Sequence, residues 1–358
     1  MGSDETISSL ICRSIDSGHY GAEPIVPEEI KRSLVAKIPE KDFDYDYTVE
    51  ELKLIADWRP EAFLQTVGSL ESRHEFCRLI SSQRSQFCQS CVIEDLKRWR
   101  NPVWRHNWGN LYYAICERHN EILRSLSGAY GYNDILHRCS QTSRYVIDGM
   151  QVNAVTVPYG ARHGLLDSSV ELVSAGVLSA LKQLLINLCL VLQRDIASGM
   201  NSGESFQDGK FLAVTDLYRV MLRTYRKHVD PVPYCFALAD KIRKVIFLPR
   251  PREANSITEM ISGFSDRLDP HSRMVALALI AVFLNYPGAE HAWLEIARLF
   301  QALGTLMPSS PAALYGLVTG TQELGVRKWI SHRAQEYYPR VVGQRLQDLT
   351  SETRKRLY

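Results

Sequence analysis

The chain has 358 residues, 45% of them hydrophobic and 23% charged, with a formal net charge of +2. This ordinary globular balance argues against wholesale disorder and against a membrane bundle, and the length is enough for two or three domains with sizeable cores. The small net charge hides a segregation: residues 1–75 hold 16 acids against 8 bases, residues 217–252 hold 9 bases against Asp230 and Asp240, and residues 327–358 hold 8 bases against 3 acids. Such a distribution suits a polyanion partner toward the C-terminal half, and it equally suits solvated helix faces.

In chain order, the opening ETISSLICRSI puts Ile7, Leu10, Ile11 and Ile15 on one helical face, with Ser3 or Asp4 as cap. It carries acids before its first base and no basic stretch leading into an apolar run, so it does not read as a secretory signal. Pro27, Glu28 and Glu29 open a second helix, and TVEELKLIADW and RPEAFLQTVGSL supply two more. Short helices with tight connections over residues 5–69 fit a helix-turn-helix type of bundle.

Residues 87–120 carry the densest signal. Cys88 and Cys91 are two apart, as are Cys116 and His119, and 24 residues separate the pairs. Two intervening residues let a tight turn aim both side chains at one ion, and three thiolates with one imidazole form a closed tetrahedral set suited to structural zinc. The expected compartment is the cytoplasm, where thiols stay reduced, so paired cysteines read as ligands rather than disulfides. A closed set leaves no position for a reactive water. Trp99, Trp104, Trp108, Tyr112 and Tyr113 in the interval offer apolar area to a small core. Lys97, Arg98, Arg100 and Arg105 lie among them, either as a solvated face or as phosphate contacts. His137 and Cys139 suggest the start of a second knuckle with no second pair; Cys12, Cys77, Cys189 and Cys235 read as small core residues.

EILRSL (121–126) reads as a short helix and SRYVIDGMQVNAVTVPYG (143–160) as one or two strands. From about Leu165 the pattern is helical, with breaks at 197–210, 248–256, 285–290 and 306–313. The apolar run Gly176–Gln193 is interrupted by Lys182, Gln183 and Asn187 at helical spacing, which predicts a core helix rather than a membrane span. YRVMLRTYRKH places Arg219, Arg223, Arg226 and Lys227 close together, as a solvated face or a phosphate-tracking stripe. Toward the end, a helix, a turn at Gly325 and a second helix with Arg327, Lys328 and Arg333 suggest helix-turn-helix, the second helix lying in the major groove. The expected fold is mainly α. A domain over 1–160 combines helix-turn-helix-like helices with a zinc ribbon or knuckle and short strands; an all-helical domain over 161–358 binds DNA or a partner.

The C-x2-C pair, the acidic Glu94 and Asp95, the segment PVWRHNW (102–108) and the closing C-x2-H together resemble the zinc-binding N-terminal domain of the TniQ (TnsD-like) transposition proteins. The opening helix is similar too, so the resemblance covers roughly residues 4–145. It implies a non-catalytic target-site selector that binds DNA or a guide-RNA effector complex and brings a AAA+ ATPase and a transposase to the insertion site. The alternatives are a zinc-containing DNA-binding regulator or mobile-element accessory protein without a transposase partner, and a nuclease or other hydrolase with scattered residues. Phosphate-loop, dinucleotide-binding, zincin, serine-elbow and zinc-deaminase motifs do not occur in the chain. The sequence sets no oligomeric state, a dimer being compatible with it.

Overall fold

A computed structural model describes residues 77–79, 84–99, 102–125, 168–201, 209–222, 234–243, 256, 258–259, 268–304, 307–308, 310–320 and 324–357. The expected helices over 5–69, the strands over 143–160 and the residues His137 and Cys139 lie outside these. The chain divides into two compact units, Met1–Ala154 and Val155–Tyr358.

The described part of the first unit is small and built around side chains rather than long elements. Strand β1 (Gln86–Phe87) leads into helix α1 (Gln89–Trp99), and a 3₁₀ turn follows at His106–Gly109. Strand β2 (Ile115–Cys116) pairs antiparallel with β3 (Glu121–Ile122), and β4 (Arg124–Ser125) pairs with β1. The segment EILRSL, expected as a helix, is therefore two strand fragments across residues 121–125. Six residues are too few to hold a helix alone, whereas β1 and β2 each offer ladder partners to it.

Helices dominate the second unit. Helix α2 (Ser168–Asn201) is 34 residues long, about 51 Å at the α-helical rise. Leu181, Leu185, Leu188, Leu192 and Ile196 bury one side, while Gln183, Asn187 and Arg194 face solvent, Gln183 donating to Asn187 at 3.0 Å. Among the described residues it is the one helix long and apolar enough to cross a membrane. Its buried stripe packs on other helices of the unit, as the polar interruptions in the sequence predict for a core helix.

Those helices are α3 (Gly209–Leu222), α4 (Tyr234–Arg243), α5 (Pro270–Phe283), α6 (Ala289–Ala302), α7 (Pro311–Gly320), α8 (Leu324–Glu336) and α9 (Arg340–Leu357). Helix α5 is the centre: every residue but His271 is buried, and it packs against α2, α3, α4, α6, α7 and α9. A helix apolar on all sides has no stable place except inside such a ring. Its start is fixed by Asp269, which accepts from the Ser272 N–H at 2.9 Å, is ion-paired with Arg243, and is followed by Pro270 at the first helical position. The break expected at 285–290 falls after α5, where Gly288 at φ +79° takes a left-handed conformation that suits glycine.

Helices α7 and α8 both pack on α9, and α8 also packs on α3. The turn expected at Gly325 is displaced: Gly325 sits in the first turn of α8, which begins at Leu324. Glycine is tolerated there because the first N–H groups of a helix have no partner within the helix to lose.

Gly343 of α9 abuts the backbone carbonyl of Ala334, and Gly209 at the start of α3 abuts that of Tyr337. A methyl group at either position collides with backbone rather than with a side chain that could swing aside. Gly343→Ala is expected to destabilise the helical unit by about 1–3 kcal/mol, the usual cost of overpacking. Chemical denaturation with the far-UV helical signal as readout checks it, and an unchanged midpoint contradicts the close packing of α8 on α9.

Candidate metal centre

Two local devices bring the four predicted ligands together. Cys88 stands at the start of α1, its carbonyl accepting from the Val92 N–H at 3.1 Å, and Cys91 lies in the first helical turn. The Cys91 N–H donates to Cys88 Sγ at 3.5 Å, so the sulfur occupies the capping position, where helix-end N–H groups favour negative charge. Cys116 ends β2, and a tight turn to β3 carries His119. That turn is closed by the Asn120 N–H donating to the Cys116 carbonyl at 2.8 Å, with Asn120 at φ +53°.

The geometry is that of a small polyhedron of donors. Cys91 Sγ lies 3.6 Å from Cys116 Sγ, and His119 Nδ1 lies 3.4, 3.3 and 3.6 Å from the sulfurs of Cys88, Cys91 and Cys116. All four donor atoms fall within 4.8 Å of one another. Sulfurs about 2.3 Å from a tetrahedral zinc would be about 3.8 Å apart, with sulfur–nitrogen edges somewhat shorter. The donor set can thus hold a metal ion, and its softness and near-tetrahedral spacing are compatible with zinc.

Burial and charge set the chemistry. The three cysteines are buried and His119 is partly exposed. Three thiols in one pocket resist losing their protons together: Cys88 is pushed up to about 12, first through its hydrogen bond to Cys116, and Cys91 is raised by its bonds to Cys116 and Cys88. Cys116 is lowered because both neighbours donate to it. A divalent cation bound here would take the place of those protons, so its binding would be proton-coupled and weaken in acid. Burial works against a charged His119, but hydrogen bonds to Glu94 and Cys116 together raise its pKa; the bond to His119 is the main cause of a lowered Glu94.

The tryptophan-rich interval builds the wall of the site. Phe87, Val92, Trp104, Trp108 and Leu123 form one buried cluster with Cys88, Cys91 and Cys116, and Leu96 and Tyr113 pack against it. Trp104 and Trp108 meet edge to face at 5.3 Å. Asp95 ties this interval to α1. Its two oxygens accept from Arg105 at 2.9 and 3.0 Å, and one also accepts from the Val103 N–H at 3.1 Å. Arg105 in turn lies over the Trp108 ring at 5.1 Å.

The candidate nucleic-acid residues separate into groups. Arg105 is clamped by Asp95. Arg219 and Arg333 converge on Asp216, Arg333 Nε donating to it at 2.8 Å. A guanidinium held by a carboxylate of its own unit has a packing role, and the side chains of these three arginines keep 18–21% of their surface exposed. Arg98, Arg327 and Lys328 are exposed, Arg98 in the last turn of α1, where positive charge also complements the helix end. Arg100, Arg223, Arg226 and Lys227 lie outside the described residues.

Cys77, Cys189 and Cys235 are buried, in line with the core role expected of them. The sequence pattern includes Glu94 and Asp95 but gives neither a task. A signal was present for Glu94, three residues after Cys91 and so on the same face of a helix; for Asp95 the partner, ten residues on, emerges only once the loop folds back. No protein-family model, curated protein or solved structure matches the chain.

Proposed function

We propose that the chain is a cytoplasmic, non-catalytic target-site selector for DNA transposition, binding DNA or a guide-RNA effector complex and recruiting a AAA+ ATPase and a transposase. The observation that supports this reading is the four-donor cluster of Cys88, Cys91, Cys116 and His119, seated in a core of Trp104 and Trp108. These are the residues through which the sequence resembles the TniQ proteins. The ion is a structural zinc: four protein ligands complete its shell, so it fixes the α1 and β2–β3 elements of a zinc ribbon and leaves no site for water activation.

Recruitment is tested by a pull-down of the tagged chain with the products of the genes neighbouring its own, probed for a AAA+ ATPase and a transposase. Retention of the ATPase on the tagged chain is the expected result. Failure to retain either protein, with DNA binding intact, converts the reading into that of a DNA-binding regulator.

Contact with DNA is assigned to the exposed Arg327 and Lys328 on α8. Replacing both by alanine is expected to weaken binding uniformly across sequences and to reduce the slope of log affinity against log salt by about 2, one for each phosphate no longer neutralised. Salt titration of binding to an arbitrary duplex measures it. An unchanged slope removes α8 from the interface.

A further inference from the structure

The imidazole at this centre has to choose between its two nitrogens. His119 Nδ1 faces all three sulfurs, while Nε2 lies 3.1 Å from Glu94 Oε1. The other oxygen of Glu94 is engaged by Arg118 Nη2 at 2.6 Å, so the carboxylate is held from behind by the residue that precedes the histidine. Glu94 itself projects from α1 one turn after Cys91, on a rigid element that also carries a ligand. Glu121, the other carboxylate nearby, is turned to Ser90 Oγ at 2.7 Å and to Cys88 Sγ, and so has no hold on the ring.

We propose that Glu94 is a positioning residue of the metal centre, holding a proton on His119 Nε2 and turning Nδ1 toward the metal. The inference rests on the reading of the cluster as a zinc site. Its physical content is that an imidazole ring on a two-residue turn can present either nitrogen after a ring flip, and that an anionic acceptor at Nε2 removes one alternative. A carboxylate behind a ligating histidine also makes the coordinating nitrogen more basic. Arg118 completes a chain from Arg118 through Glu94 to His119.

The test compares the zinc-loaded full chain with Glu94→Ala and Glu94→Gln, using Glu290→Gln on α6 as a control for loss of one negative charge. Zinc affinity is read by competition with a chromogenic chelator, and the nitrogen shifts of His119 in the zinc-loaded protein report which ring nitrogen is coordinated. Glu94→Ala is expected to weaken zinc binding about 10–100-fold and to populate coordination through Nε2. Glu94→Gln, whose amide oxygen still accepts from Nε2–H, is expected to recover part of the affinity and the Nδ1 coordination. Both variants binding within twofold of the parent, with Nδ1 coordinated throughout, overturns the role of Glu94. A parent chain that takes up no zinc instead overturns the metal reading on which it rests.

Discussion

On the proposed zinc reading, replacing Cys91 by alanine is expected to strip the metal and unfold residues 84–125, while the helical signal of the second unit persists. Cys91 lies 3.6 Å from Cys116 and 3.3 Å from His119 through its sulfur, so its loss leaves three donors where four close the shell. It is also part of the cluster that buries Trp104, Trp108 and Phe87, so the same substitution removes packing. A structural zinc contributes about 10–16 kcal/mol in small zinc-finger peptides near neutral pH. An ordinary domain has a net stability of only about 5–15 kcal/mol, so the ribbon has little left once the ion is gone. The indole resonances of Trp104 and Trp108, together with zinc per chain by mass spectrometry, give the readout. Dispersed indole signals with no metal bound would mean that the aromatic core stands on its own.

The second large effect is in the helical unit. Asp216 of α3 is fully buried and accepts from Arg333 Nε at 2.8 Å and from the Tyr338 hydroxyl at 2.9 Å, with Arg219 at 3.6 Å. Asp216→Ala removes the carboxylate that the two arginines share and is expected to cost about 3 kcal/mol. That is the lower end for a broken buried pair, since Arg333 keeps 21% of its side chain exposed. The pair is lopsided. Burial costs the enclosed carboxylate more than its partners return, which raises its pKa, whereas burial of Arg333 is outweighed by Asp216 and leaves it more firmly protonated. Replacing Asp216 and Arg333 together by apolar residues is therefore expected to cost less than the sum of the single changes.

The sign of the pH effect follows from the raised value. The folded state holds the Asp216 proton more tightly than the unfolded chain does, so this group's contribution to stability grows as pH falls from the raised folded pKa toward about 3.9. Asp195 works the other way: burial opposes its charge, but Lys210 at 2.7 Å and the Tyr286 hydroxyl overcome that and lower its pKa. Its contribution is present above about 3.9 and is lost as pH falls through the depressed folded value. Denaturation midpoints of Asp216→Asn and Asp195→Asn between pH 3 and pH 6 should diverge from the parent with opposite slopes, which about one unit of pH is enough to reveal.

What the sequence makes legible is what depends on spacing. Two residues between ligands and the polar interruptions at Lys182, Gln183 and Asn187 are local patterns, and local geometry carries each into the structure. The four donors of the metal centre are legible that way although 24 residues divide the pairs. Features that depend on what folds back were not legible. EILRSL carries helix-forming residues, and only the pairing of Ile115 with Ile122 and of Phe87 with Arg124 makes it strand. Arg219 reads as part of a stripe with Arg223 and Arg226, and Arg333 as part of a separate helix-turn-helix, because helical spacing does not show that Asp216 will be enclosed between them. The partner of Arg105 is hidden for the same reason, its carboxylate lying on a different element.

The central claim is that Cys88, Cys91, Cys116 and His119 hold one zinc in a closed structural shell. X-ray absorption at the zinc edge of the purified full chain tests it most directly, because it counts the atoms around the ion. The expected result is three sulfurs at about 2.3 Å and one nitrogen at about 2.0 Å, with no oxygen in the shell. An oxygen in place of a protein donor would make the site open, and a folded first unit without metal would mean that these residues hold no ion at all; either result contradicts the claim.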